Sequence, residues 1–270
     1  MSEGAMVRFG AFADPHYAAK VYGNRHCQDS AAKLAACVDA LAAAHLDLAV
    51  CLGDLIDSAE DREAEAGYAR TMAGIFACFA GPRHWVLGNH DVQVFSKGEY
   101  LDLCGAPPTP YYSFDAKGAH FAVLDGNCHG DGRDFRAGDF SWDEAWVSED
   151  QVEWLASDLA GAAGRPAVVL CHENLDHRLW EGQLDPHVVR NADRVRHVLE
   201  RSGNVKAVVQ AHYHPGLRAV QNGIPYVGLR AMVVGPGPEN NAYAVLELRA
   251  DGSLAVEGGG QQESCVVRGR

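Results

Sequence analysis

Short apolar runs alternate with helical stretches along this chain. Residues 7–13 predict a strand. Residues 29–45 predict a helix, because Leu34, Cys37, Val38 and Leu41 return to one face at helical spacing. A second strand follows at 48–52. Next comes a helix striped by Tyr68, Met72, Ile75, Phe76 and Phe79, then a third strand at 84–87. Residues 111–114 and 120–124 predict a hairpin around Lys117-Gly118. Ser148-Glu149-Asp150-Gln151 reads as a capping box that opens a helix with Val152, Leu155 and Leu159 inward. Strands at 167–171 and 205–210 enclose a helix carrying Val195, Val198 and Leu199. From 217 to about 256 the pattern is strands joined by turns at Asn222-Gly223 and Asp251-Gly252.

Strands alternating with helices imply a layered α/β fold, and the β-rich tail implies a second sheet packed on the first. No linker divides the chain, so one domain over 1–270 is expected. Five predicted strands run into the same few residue types: Asp14-Pro15-His16, Gly53-Asp54, Gly88-Asn89-His90-Asp91, His172, and His212-Tyr213-His214. Ligands of open α/β sheets bind beyond the carboxyl ends of strands, and Asp, Asn and His suit borderline divalent metals. In an extended segment residues two apart point the same way, so Asp14 and His16 can share one cation. A carboxylate such as Asp54 can bridge two, and two cations clamp an in-line displacement at phosphorus. Gly53 and Gly88 permit tight turns just before these ligands.

Composition adds exclusions. With 47% hydrophobic residues in 270, a sizeable core is possible. No apolar run is long enough for a bilayer, and Met1-Ser2-Glu3-Gly4 lacks a signal-peptide pattern. A net charge of -13 disfavours nucleic acid as a partner. Eight cysteines without a Cys-x-x-Cys pair fit buried, reduced thiols. A soluble cytoplasmic protein, with no membrane and no nucleic acid among its partners, is the expectation.

Taken in order, Asp14-x-His16, Gly53-Asp54, Gly88-Asn89-His90-Asp91, His172 and Ala211-His212-x-His214 resemble the calcineurin-like metallophosphoesterase superfamily. The resemblance implies an α/β/β/α sandwich of two packed mixed sheets, with a dinuclear metal site at strand carboxyl ends. It implies two divalent or mixed-valence transition metal ions, manganese, iron or zinc. Asp14, His16 and His214 would hold the first and Asn89, His172 and His212 the second, with Asp54 between them. It gives His90 a catalytic role in handling protons or phosphate charge, and Asp91 the role of orienting His90. Ala211 departs from the usual glycine, and Tyr213 is bulkier than the common residue.

Phe12-Ala13-Asp14, Arg25 ahead of the run 29–34, the run 52–57, and 111–114 leading to Asp125 resemble more closely the branch of manganese-dependent ADP-ribose/CDP-alcohol diphosphatases. That implies a small nucleotide-like substrate with a phosphodiester or diphosphate bond. Tyr22, Arg25, His26, Asn127 and His129, on loops after strand ends, are the substrate-binding candidates. Tyr22 or Phe135 would stack on a base, and Arg25 would fork onto a second phosphate. The plainer alternative pairs Arg25 with Asp29. His84, His120, His187 and His197 read as structural. Residues 126–147 and 173–190 read as functional loops or as solvated insertions in which Trp180 simply packs. The alternatives to a diesterase are a non-catalytic scaffold of the same fold, a phosphomonoesterase or protein phosphatase, and a nuclease. A scaffold need not keep Asn89 or His90, and the acidic balance opposes a nuclease.

Overall fold

The computed structural model describes residues 5–162 and 164–269. In chain order the strands are β1 (Ala5–Phe12), β2 (Leu48–Cys51), β3 (Arg83–Trp85), β4 (Tyr112–Ala116), β5 (Ala119–Val123), β6 (Ala167–Leu170), β7 (Leu179–Trp180), β8 (Gln183–Leu184), β9 (Val205–Gln210), β10 (Leu217–Gln221), β11 (Ile224–Gly228), β12 (Ala242–Arg249), β13 (Leu254–Gly260) and β14 (Cys265–Val267). The helices are α1 (Ser30–Ala43), α2 (Arg62–Phe76), α3 (Lys97–Cys104), α4 (Glu149–Gly161) and α5 (Ala192–Ser202).

Two six-stranded mixed sheets form, in the orders β14-β13-β12-β1-β2-β3 and β10-β11-β9-β6-β5-β4. The two-residue period of each strand sorts its side chains between layers. From β1, Val7, Phe9 and Ala11 enter the core between the sheets, while Phe12 joins the core under α1, α2 and α3. From β6, Val168 and Leu170 face the other sheet, while Ala167 and Val169 pack with Leu155 of α4 and Val195 of α5. The result is the expected α/β/β/α sandwich, but the tail does not form the second sheet: β10 and β11 join one sheet, and β12, β13 and β14 extend the sheet of β1. Three parallel neighbours of the first sheet, β1, β2 and β3, and two of the second, β6 and β9, end on the same side as the motifs that follow them.

Several local expectations change. The helix α3 lies where no element is predicted. Ser96 and Glu99 close a full capping box at its start, and Gly105 ends it at φ 60°. The predicted box at Ser148 is only half formed. Ser148 accepts from the Gln151 backbone N–H, but the Gln151 side chain turns to the Asp125 backbone, accepting from its N–H at 2.8 Å and donating to its carbonyl at 2.9 Å. Phe79 is buried but lies beyond the end of α2. The tail continues past residue 256 into β14. The segment 173–190 contains the β7–β8 hairpin, and Trp180 on it is 61% exposed, not packed. No helix among the described residues is long and apolar enough to cross a membrane.

Candidate metal centre

Each motif turns sharply as it leaves its strand. Asp14, His16, Asp54 and His212 all have positive φ, at 51°, 47°, 51° and 64°. This region is unfavourable for residues with a side chain, and such strain gathers at functional sites. The segment after β1 is therefore not extended, and Asp14 and His16 converge through left-handed turns instead. Ala211 is outside the left-handed region and His212 takes the positive φ, so alanine there carries no conformational penalty. Gly53 needs its φ of 94°, and at Gly88 a Cβ would stand 2.2 Å from the Asp54 backbone nitrogen. The two glycines let the loops after β2 and β3 touch.

Backbone hydrogen bonds join the loops. Asp14 N–H donates to Gly53 O at 3.1 Å, His16 N–H to Asp54 O at 2.9 Å, and Ala211 N–H to His172 O at 2.9 Å. Residues 231–233 connect the two sheets, since Ala231 N–H donates to His214 O while Met232 and Val233 donate to Ala13 and Asp14. Lys33 of α1, fully buried, holds this segment by donating to the carbonyls of Met232, Val234 and Gly235.

Among the described residues the side chains form three groups with metal-ligand spacing: Asp14, His16 and His214; Asp54, His172 and His212; and His16, Asp57 and His90, which shares His16 with the first. Asp54 lies between the first two, with its Oδ2 3.4 Å from His16 Nε2 and 3.3 Å from His172 Nε2. Its Oδ1 accepts from the His90 backbone N–H at 2.8 Å. The imidazoles are aimed by their second nitrogens, as is common for metal ligands. His172 Nδ1 donates to Leu52 O at 2.8 Å, and His212 Nε2 donates to Trp142 O at 2.9 Å.

Both oxygens of Asp14, both amide atoms of Asn89 and Nε2 of His172 are buried without a hydrogen-bond partner. Each such group costs about 1–3 kcal/mol when left unpaired. Cations would satisfy the Asp14 oxygens, Asn89 Oδ1 and His172 Nε2, though not the Asn89 amide nitrogen, which only donates, and these oxygen and imidazole groups fit divalent metals. Burial pushes the Asp14 carboxyl up to about 6 and holds His212 and His214 in the neutral form that ligates. Burial also opposes charge on Asp54 and His172, but their mutual attraction wins, holding Asp54 low and His172 high.

His90 packs edge-on against His16, with ring centroids 4.7 Å apart. Its Nδ1 faces Asp57, at 3.7 Å from Oδ1. Asp91, expected to orient His90, has other partners: it accepts from the backbone N–H groups of Asp54, Leu55 and Gly88 at 2.9–3.0 Å. Asp57 is the residue that sequence reasoning misses. It also faces His16 Nδ1 at 3.4 Å, Lys20 Nζ at 2.9 Å and Arg25 Nη1 at 3.6 Å. Its signals are a place three residues after Asp54 and at the end of the run 52–57, neither of which assigns it a role.

The substrate-binding candidates separate. Arg25 pairs with Asp57 and not with Asp29, which instead accepts from Gly237 N–H at 2.9 Å and faces His26 at 3.9 Å. Tyr22 bridges to Arg25 through the backbone and is 74% exposed. Asn127 is buried, donating to Leu87 O and Asp125 Oδ1. His129 pairs with Asp139 at 3.2 Å on the outer part of its loop. Phe135 is 1% exposed and has no face free for a base. His187, read as structural, lies against His212 with ring centroids 5.1 Å apart. The bulk of Tyr213 is accommodated beneath the Arg178 guanidinium, 4.0 Å from the ring centre.

The chain is 31% identical over 222 residues to the 3',5'-cyclic adenosine monophosphate phosphodiesterase CpdA of Escherichia coli K12, covering 78% of this chain and 73% of that one. It is 23% identical over 172 residues to the glycerophosphodiester phosphodiesterase GpdQ of Enterobacter lignolyticus, covering 62% and 56%. Its fold is shared with a dimetal phosphatase from Danio rerio, at a TM-score of 0.82 and 20% identity over 98% of this chain and all of that one. The model of the calcineurin-like phosphoesterase family matches residues 7–216, from β1 through the last histidine motif. This chain therefore belongs to that family and is a metal-dependent phosphoesterase, a hydrolase of phosphate esters.

Proposed function

We propose that the chain hydrolyses a phosphodiester or diphosphate bond in a small nucleotide-like molecule, using two cations. The observation that carries this reading is Asp54 Oδ2, poised between His16 and His172 at 3.4 and 3.3 Å. Asp14, His16 and His214 would hold one cation, Asn89, His172 and His212 the other, and Asp54 both. Manganese, iron or zinc suits this donor set. Bound there, two cations supply an activated water and a clamp on the phosphate oxygens. The ligands come from both sheets, which supports reading the chain as one domain.

The rest falls to the protein. His90 donates a proton to the leaving oxygen, or a hydrogen bond to the phosphate as charge builds. Asp57 lies on the Nδ1 side of the ring at 3.7 Å, beyond hydrogen-bond reach, and would orient it by charge once the imidazole is protonated. Asp91 fixes the loops that carry Asp54 and Asn89. Arg25, with its guanidinium only partly engaged by Asp57, grips a second phosphate oxygen pair. Two of the relatives carry phosphodiesterase names, for cyclic AMP and for glycerophosphodiesters, which supports a diester or diphosphate over a monoester.

The test is Arg25→Ala with manganese present. Its KM for a nucleotide diphosphate should rise far more than its KM for p-nitrophenyl phosphate, which has no second phosphate. An equal effect on both removes Arg25 from substrate binding. Failure of the wild-type protein to cleave bis-p-nitrophenyl phosphate and nucleotide diphosphates with any of the three metals contradicts the reading itself.

A further inference from the structure

The loop between β5 and α4 reaches back to the metal centre at Phe140, whose ring lies 5.7 Å from that of His90, and at Trp142. Trp142 O accepts the hydrogen bond from His212 Nε2 at 2.9 Å. The side chains that flank it are joined, since Ser141 Oγ donates to Asp143 Oδ1 at 2.6 Å, and the backbone that follows it is held, since the Arg190 guanidinium donates to Asp143 O. The indole itself remains 47% exposed. It meets the His187 ring at a centroid distance of 5.4 Å. His187 is fixed in turn, with Nδ1 2.7 Å from Asp185 Oδ1 and its ring against His212 and Tyr213. Asp185 is clamped by Arg178 at 2.9 and 3.1 Å.

An exposed tryptophan is ordinarily a poor use of apolar surface unless it meets a partner. Here the main chain is tied to a candidate metal ligand and the ring is braced, so the indole has a set position beside the centre. Tyr22 and Trp180 are more exposed, but neither is hydrogen-bonded to a candidate ligand among the described residues.

We propose that the Trp142 indole is the platform on which the base of a nucleotide-like substrate stacks while its phosphate lies at the metal centre. His187 is a positioning residue that holds the ring. This rests on the functional reading above and names the face that selects the organic half of the substrate. It replaces Phe135, which is buried. Stacking of a base on an aromatic side chain is sequence-tolerant and worth roughly a five- to hundredfold preference in binding.

The experiment is calorimetric binding of adenosine 5'-monophosphate and of ribose 5-phosphate, which lacks the base, to the manganese-loaded protein. Wild type should prefer the nucleotide by roughly five- to a hundredfold. Trp142→Ala keeps the carbonyl that bonds His212, so its metal content should stay near that of wild type. Its preference should fall to about twofold or less, while Trp142→Phe keeps most of it. Equal binding of both ligands by wild type, or an undiminished preference in Trp142→Ala, overturns the proposal. Because binding is read without turnover, a nucleotide preference that depends on Trp142 in a protein that cleaves no diester would contradict the functional reading and leave the platform standing.

Discussion

His90 Nδ1 stands 3.7 Å from Asp57 Oδ1, and no atom of Asp91 hydrogen-bonds the His90 side chain. The carboxylate that follows His90 in the chain therefore belongs to the loops, and the one that faces the ring comes from the loop after β2. The two carboxylates should fail differently. His90→Ala should retain metal and lose turnover by roughly two to four powers of ten, the range for general acid catalysis. Asp57→Asn should lose roughly ten- to a hundredfold, as for other groups behind a working imidazole. If Asp57 acts through His90, the double variant loses little more than His90→Ala alone. Full multiplication of the two losses in steady-state kinetics would show independent roles.

Asp91 should matter to stability. Its carboxylate satisfies three backbone N–H groups inside the protein. Asp91→Ala strands those donors, at a cost of about 3 kcal/mol or more. Urea unfolding of the metal-free protein reads this directly. An unchanged midpoint together with a turnover loss as large as that of His90→Ala would return Asp91 to the catalytic role.

What the sequence discloses depends on how local each signal is. Asp14, His16, Asp54, Asn89, His172, His212 and His214 are legible because each follows an apolar run directly, so strand and ligand sit in one short window. Asp57 is not, because its meaning lies in contacts with His16 and His90, far apart in the chain and joined only when β1, β2 and β3 align. His187 is 25 residues from His212, which it touches, and the helix α5 and the strand β9 intervene. The layers are legible from the alternation of apolar runs with helical stretches, whereas which core each side chain of β1 and β6 enters is not, since Ala167–Leu170 is apolar throughout. The helix α3 is short and its apolar positions are few, yet Ser96, Glu99 and Gly105 mark both its ends. The failed half of the Ser148 box has a tertiary cause: Gln151 binds the backbone of Asp125.

His84 gives a pH test away from the metal ligands. Its ring stacks on Phe114, with centroids 3.4 Å apart, and burial pushes its pKa down to about 4 from 6.5. The unfolded chain binds the proton first as pH falls. The stability tied to the neutral ring is thus complete above about pH 6.5 and is lost as pH falls toward 4. After allowance for partial exposure this is worth roughly 2 kcal/mol. His84→Phe should remove that part of the slope, so the stability difference between variant and wild type should shift in the variant's favour between pH 7 and pH 4.5. Parallel curves for the two proteins in urea titrations would show that the ring is not desolvated as described.

The central claim is that one carboxylate joins two cations on which hydrolysis depends. It is tested most directly by measuring metal content and bis-p-nitrophenyl phosphate turnover together in Asp54→Ala. Wild type should hold two metal ions per chain. The variant should hold fewer and lose turnover by roughly three powers of ten or more, since the cations supply several kcal/mol of transition-state stabilisation. A variant that keeps both ions and near-normal turnover would contradict the account.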